Sequence, residues 1–141
     1  MSIRRVLPLV TLALGAAPAL AGGLTVGDAW ARTTPPGIPT GVVYLKIHND
    51  TTKSDRLLKL KTAVAASAEV HETKVVEGVA RMREISVLHV AAGERVEFSP
   101  GGKHIMLMGL KQPLVEGQAF ELEFLFEVAG PRKVKVAVRK H

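Results

Sequence analysis

The stretch TGVVYLKIHN, residues 40–49, alternates core-type apolar residues with other residues at a period of two. The same alternation recurs in RLLKLK (56–61), FELEFLFEV (120–128) and RKVKVAVRK (132–140). Alternation with this period is typical of β-strands that bury one face. The sequence therefore predicts an all-β protein.

Working outward from these segments, glycine, proline and asparagine turns divide the chain into further short strands. The predicted strands span residues 24–32, 40–48, 55–61, 68–75, 79–90, 94–98, 103–110, 118–128 and 132–139. Only residues 62–68 show a weak helical periodicity. Short strands at regular spacing with Gly/Pro turns indicate an antiparallel Greek-key β-sandwich or barrel. We find no repeat and no sign of a second domain.

The first 21 residues have the pattern of a secretory signal peptide. A basic start, MSIRR, precedes the apolar run VLPLVTLALGAAPAL and the small residues Ala19 and Ala21. We expect cleavage near Ala21-Gly22, a mature domain of residues 22–141, export to the periplasm and no stable membrane insertion afterwards. The chain has no cysteine, so we expect no lipid anchor at the cleavage site.

Charge and cysteine content narrow the function classes. Loss of Arg4 and Arg5 with the signal lowers the formal net charge from +6 to +4, since no acidic residue leaves with them. A moderately basic exported protein is not expected to bind nucleic acid. The lack of cysteine excludes a blue-copper electron-transfer site, which needs a thiolate ligand.

The segment EVHETKVVEGVARMREISV, residues 69–87, predicts a hairpin with its turn at Glu77-Gly78. That turn pairs Thr73 with Met82, and it places His71 on the same face as Met82. The two side chains become diagonal neighbours about 7–8 Å apart at the backbone, within reach of each other.

A second imidazole and thioether pair lies in GGKHIMLMGL, residues 101–110. His104 and Met106 point to one face of a strand, with Cα atoms about 6.7 Å apart. Thioether sulfur is soft and favours Cu(I) over Zn(II), Ca(II) or Mg(II). The alternative is that Met106 and Met108 are core side chains and the pattern is a coincidence. In such a metal-free structural or adhesion β-sandwich, His71 and Met82 would point away from His104 and Met106.

The four residues together have the spacing His71-x10-Met82-x21-His104-x-Met106, which resembles the motif of the periplasmic copper chaperone family of the PCu(A)C type. The flanking segments DAWARTTPPG, VYLKIHN, AEVHETK and PGGKHIMLMGLKQPLVEGQ also resemble that family. The resemblance runs from about Leu24 to Val138.

The resemblance implies a single cupredoxin-like Greek-key β-domain without enzymatic activity. It implies that His71, Met82, His104 and Met106 bind Cu(I) at an exposed site. The expected partner is a copper-accepting protein such as cytochrome c oxidase subunit II or another copper chaperone, and we expect a monomer. A periplasmic copper store for tolerance would need the same ligands and stays open.

The chain departs from the family at Val75 and Ala80, where many members carry extra methionines. Met108 lies about 13 Å along the strand from His104 and is assigned to packing or to a supporting position. The sequence gives only weak support for a second copper site at His141.

The remaining candidate residues have structural or docking roles. His48 and His89 are expected to be structural or surface residues, and Trp30 is expected to anchor the core. Four cations flank the proposed ligands, and we expect them to steer docking onto an acidic acceptor; they are Arg81, Arg83, Lys103 and Lys111.

Overall fold

The computed structural model describes residues 23–140. The predicted signal peptide, its cleavage site and His141 lie outside the described residues. Within them the chain forms ten strands and no helix, which confirms the all-β prediction. The strands are β1 (Leu24–Arg32), β2 (Thr40–Asn49), β3 (Asp55–Thr62), β4 (Ala65–Val76), β5 (Val79–Glu84), β6 (Leu88–Val90), β7 (Arg95–Glu97), β8 (Lys103–Leu110), β9 (Ala119–Phe126) and β10 (Gly130–Arg139).

Two sequence-based expectations are wrong in detail. The single strand predicted over 79–90 is broken at residues 85–87 into β5 and β6. The break occurs because β5 pairs with β4 whereas β6 pairs with β3, so the chain crosses from one part of the sheet to another. The strand predicted over 68–75 begins earlier, at Ala65, because Ala65 and Ser67 already pair with β8, and the weak periodicity at 62–68 corresponds to no helix.

The strands form one hydrogen-bonded path in the order β5-β4-β8-β2-β1-β10-β9-β3-β6, with β7 paired to β2 beside the path. All pairs are antiparallel except β1 with β10. Strands β3 and β4 also contact each other, so the sheet curls and encloses a core. Strand β5 lies at one end of the path.

The core is filled by the inward faces of the alternating segments. In β2, Val43, Leu45 and Ile47 are at most 1% exposed. In β8, Ile105 and Leu107 are fully buried, and β9 contributes the stacked rings of Phe124 and Phe126. Burial of one face of each strand also fixes which side chains point outward. A shift of the strand register by one residue would move every core side chain to the outer face.

Across residues 23–140 we find no helix with the length and apolarity needed to cross a membrane.

Candidate metal centre

The β4–β5 hairpin has the turn and register that the sequence predicts. Glu77 and Gly78 both have positive φ, 52° and 78°, as a two-residue type I′ turn requires. Val76 pairs with Val79, and Thr73 pairs with Met82. His71 and Met82 therefore lie on one face of the hairpin.

The ring of His71 contacts one side chain at each nitrogen. Its Nε2 lies 3.0 Å from a carboxylate oxygen of Glu69, and its Nδ1 lies 3.4 Å from the sulfur of Met82. A carboxylate that is ionised can only accept, so Nε2 carries the proton and donates it to Glu69. In the neutral ring, Nδ1 then keeps its lone pair.

The contact between Nδ1 and sulfur has the chemistry of a pair of metal ligands. Both atoms present lone pairs, and in the neutral ring neither has a proton to share. Typical bonds to a first-row metal are about 2.0 Å from nitrogen and about 2.3 Å from sulfur. At a separation of 3.4 Å, one ion can bind both atoms with a bent angle at the metal. The donor set thus fits a soft cation.

His104 lies directly opposite His71 on the neighbouring strand β8, and the two ring centroids are 5.9 Å apart. Its Nδ1 lies 3.4 Å from the carbonyl oxygen of Gly102, so Nδ1 donates and Nε2 keeps the lone pair. Burial lowers the pKa of His104, the hydrogen bond to Gly102 opposes this, and the charge of His71 lowers it further. The imidazole of His104 is therefore kept in the neutral form that binds metals.

Met106 and Met108 lie on the same face of β8 as His104. Both methionines are half-buried. The alternate residues of the strand, Ile105 and Leu107, point into the core. Met106 pairs with Glu69 on β4 and Met108 pairs with Ser67. The expectation that the two methionines could be core side chains is therefore not met.

The site is asymmetric in exposure. Met82 is 55% exposed and every residue of β5 is exposed, whereas His104 is only 7% exposed. The centre is thus closed at β8 and open to solvent at β5. An incoming ligand would reach it from the side of Met82.

The structure separates His48 and His89 from this centre. His48 pairs with Arg95, and His89 is exposed on β6 at the far end of the sheet. The expectation that Trp30 anchors the core is wrong, because Ala29 and Ala31 point inward and Trp30 is half-buried on the other face.

Sequence reasoning missed Glu69. The signal was present, since Glu69 is two residues before His71 on a strand and must share its face. Among residues 23–140, no three His, Asp or Glu side chains are placed to hold a metal ion together. Glu69 contacts Nε2 of His71 while the sulfur of Met82 lies at Nδ1, so the carboxylate holds the ring from the side opposite to the sulfur.

The chain is similar to a known protein family and to a bacterial protein described as a lipoprotein. The model of the LpqE-like family, described as "Putative lipoprotein LpqE-like", matches residues 24–138. The Leifsonia xyli subsp. xyli (strain CTCB07) protein Lxx21020, which carries the same lipoprotein description, is 31% identical over 120 residues. That alignment covers 84% of this chain and 71% of the relative.

Two solved structures share the fold. The copper-bound PCuAC domain from PmoF2 has a TM-score of 0.72 at 24% identity, covering 86% of this chain and 96% of that domain. The solution structure of CuI-DR1885 from Deinococcus radiodurans has a TM-score of 0.71 at 28% identity, covering 89% of this chain and 84% of that one. The cupredoxin-like fold predicted from the sequence is thereby confirmed.

Proposed function

This chain belongs to the LpqE-like family, and from that premise we propose that it is an exported Cu(I)-binding protein that carries copper to an acceptor protein. The observation that carries the proposal is the 3.4 Å contact between Nδ1 of His71 and the sulfur of Met82, beside the ring of His104. Two solved relatives have copper in their names, a copper-bound PCuAC domain and CuI-DR1885.

The proposed ligands are His71, Met82, His104 and Met106. Two neutral imidazoles and two thioethers form a soft, uncharged set, which favours Cu(I) among the biological metals. A thioether binds without losing a proton, so acid weakens the site mainly through the two histidines. Thioether ligands also avoid the disulfides that an oxidising compartment would form from thiols.

Copper is cargo in this proposal, and exposure of Met82 provides the route for its transfer. A ligand of the acceptor enters at the open side next to β5 while Met82 leaves. His104, which is buried and fixed through Gly102, retains the ion until the exchange is complete. The ion is then bound by at least one protein at every stage.

We further propose that transfer takes place in the periplasm, that the protein acts as a monomer without enzymatic activity, and that the acceptor is the copper site of cytochrome c oxidase subunit II or another copper chaperone. These proposals rest on the resemblance of the motif to copper chaperones of the PCu(A)C type. We propose no role in nucleic-acid binding.

A copper store for tolerance would use the same four ligands, and only a transfer assay distinguishes it from a carrier. A metal-free structural sandwich is the other alternative. It requires His71 and Met82 to point away from His104, and the structure has His71 and His104 side by side on one face.

The test is an anaerobic titration of Cu(I) into the protein in competition with a chromogenic Cu(I) chelator. We expect one equivalent bound by the parent and lost in Met82→Leu/Met106→Leu. Met108→Leu is the matched control, because it removes a thioether from the same strand face outside the proposed ligands. No competition by the parent, or equal losses in both variants, would overturn the proposal.

A further inference from the structure

Three of the four cations expected to steer docking do not share the face of the candidate metal centre; they are Arg81, Arg83 and Lys103. Arg81 and Arg83 flank Met82 in β5, so their side chains point to the opposite face of the hairpin. On that face Glu72 lies 3.4 Å from Arg83 and 3.6 Å from Lys103. These cations are directed away from the metal centre, and two of them are partly neutralised.

Another set of cations lies on the same face as the proposed ligands. Met106 pairs with Val42 of β2, and Tyr44 is two residues further along the same face. Tyr44 pairs with Trp30 of β1, and Arg32 of β1 pairs with Arg139 of β10. We call Trp30, Arg32, Tyr44 and Arg139 the arginine–aromatic patch. Adjacent strands are about 4.8 Å apart, so β1 lies about 10 Å from β8.

The patch is a stacked assembly rather than a set of loose surface chains. The rings of Trp30 and Tyr44 have centroids 4.9 Å apart. The guanidinium of Arg139 lies 4.7 Å from the centre of the Trp30 ring, and that of Arg32 lies 5.8 Å from the Tyr44 ring. Stacking restricts both guanidinium groups, and both arginines are exposed to solvent.

Both guanidinium groups are available to an outside acceptor. Within residues 23–140, neither has a carboxylate within 4.0 Å, whereas the nearby Lys46 is 3.7 Å from Asp28. A planar guanidinium held in place by stacking can bind a carboxylate through two parallel hydrogen bonds. A second copy of this basic chain would be repelled, since the net charge without Arg4 and Arg5 is +4.

We propose that the arginine–aromatic patch docks a carboxylate-rich segment of the acceptor protein, on the same face of the sheet as the proposed metal ligands and about 10 Å from β8. The proposal rests on the proposed function, because transfer requires the acceptor to approach this face. Docking on the patch would hold the acceptor over this face, from which its ligands could reach the open side of the centre at Met82.

The first test uses no copper. A fluorescein-labelled peptide of alternating Glu and Ser is titrated with the metal-free protein, and its anisotropy is followed at ionic strengths of about 10 mM and about 150 mM, where the Debye length is about 30 Å and about 8 Å. We expect binding that weakens by about tenfold or more between the two. Arg32→Glu/Arg139→Glu should abolish it.

The matched control is Arg81→Glu/Arg83→Glu, which changes the net charge by the same amount on the opposite face. It should retain most of the binding. Equal losses in the two double variants would mean that net charge alone attracts the peptide, and unchanged binding by the Arg32/Arg139 variant would mean that the patch is not used. Either result overturns the proposal.

The second test measures transfer by stopped flow from the Cu(I)-loaded protein to a synthetic Cys-x-x-Cys peptide flanked either by glutamates or by glutamines. We expect faster transfer to the glutamate peptide, and we expect Arg32→Glu/Arg139→Glu to remove that preference without changing Cu(I) affinity. If the protein binds no Cu(I), the proposed function fails while the peptide result stands. If it binds Cu(I) but transfers equally to both peptides, the docking proposal fails alone.

Discussion

At the scale of single residues, the orientation of His71 depends on Glu69. The carboxylate holds the Nε2 proton at 3.0 Å and so leaves Nδ1 as the atom that faces Met82. Partners of this kind, which fix the tautomer and orientation of a ligating histidine, typically contribute about 10- to 100-fold to metal affinity.

We therefore predict that Glu69→Leu lowers Cu(I) affinity by about tenfold or more, whereas Glu69→Gln, whose amide oxygen still accepts from Nε2, loses less. Chelator competition measures the affinities. Nitrogen NMR of the His71 ring in the metal-free protein should show the Nε2-protonated tautomer in the parent and a mixture in Glu69→Leu.

The control for this prediction is Glu84→Leu, because Glu84 pairs with His71 from the other neighbouring strand but has no hydrogen bond to its ring. It should leave both affinity and tautomer unchanged. An unchanged tautomer in Glu69→Leu would contradict the assigned role.

At this scale the sequence was informative only where the alternation of residues along a strand decides on which face a side chain lies. It predicted that His71 and Met82 share a face, because a two-residue turn fixes the pairing of every residue in a hairpin. It was wrong for Trp30, since apolar character alone does not distinguish a core side chain from one stacked under an arginine on the outer face.

At the scale of strands, β8 reaches its place through a close approach to β4. Gly109 has φ of 66°, and a Cβ built on it would lie 2.8 Å from the Cβ of Ala66. This position follows directly after Met108, so the glycine lets the strand that carries His104 and Met106 pack tightly against the strand that carries His71.

We predict that Gly109→Ala lowers the free energy of unfolding by about 2–4 kcal/mol, from backbone strain and overpacking together. Urea unfolding measures the loss. Gly93→Ala is the control, because Gly93 has φ of 74° but open space around a Cβ, and it should show only the strain, about 1 kcal/mol.

Combining Gly109→Ala with Ala66→Gly removes the clash and should recover part of the stability beyond what the two separate changes predict. Additive effects of the two substitutions would show that the close approach to Ala66 is not the cause.

Strand boundaries were predicted well where turn chemistry marks them. The bounds of β1 and β8 agree with the predicted strands 24–32 and 103–110. The break between β5 and β6 could not be predicted, because residues 85–87 contain no glycine or proline and the break is imposed by pairing with distant strands.

At the scale of the whole molecule, Asp55 joins distant parts of the chain. Its carboxylate accepts hydrogen bonds from the backbone N–H groups of Arg56, Val128 and Ala129, which ties the start of β3 to the turn between β9 and β10. Burial raises the pKa of Asp55, but these hydrogen bonds and the charge of Arg132 outweigh it, so the pKa is lowered.

A lowered pKa in the folded state means that the stabilisation is present above the unfolded value, about 3.9, and is lost as the pH falls through the folded value. We predict that Asp55→Asn lowers stability by about 1–3 kcal/mol at pH 7. The difference from the parent should shrink below about pH 4 in urea unfolding. Asp28→Asn, at an exposed side chain, should show no such pattern.

The overall arrangement of the site was the part least accessible to sequence reasoning. His71 and His104 are brought face to face because β4 pairs with β8, and no local pattern specifies pairing between strands so far apart in the chain. That proximity came from the family resemblance. The net charge could be counted from the sequence. The faces on which the individual cations lie could not, because they depend on how the strands pair in the completed sheet.

The place of β5 at the end of the sheet has a further consequence. Segments paired along one side only open by local fluctuation at a small fraction of the free energy of global unfolding. Met82 lies on β5, whereas the other three proposed ligands lie on strands paired along both sides. Fraying of β5 would therefore lower the coordination number by one while the core stays folded, so the off-rate of the ion is tied to the opening rate of one peripheral strand. Amide hydrogen exchange of residues 79–84 should then report on the lifetime of the bound metal.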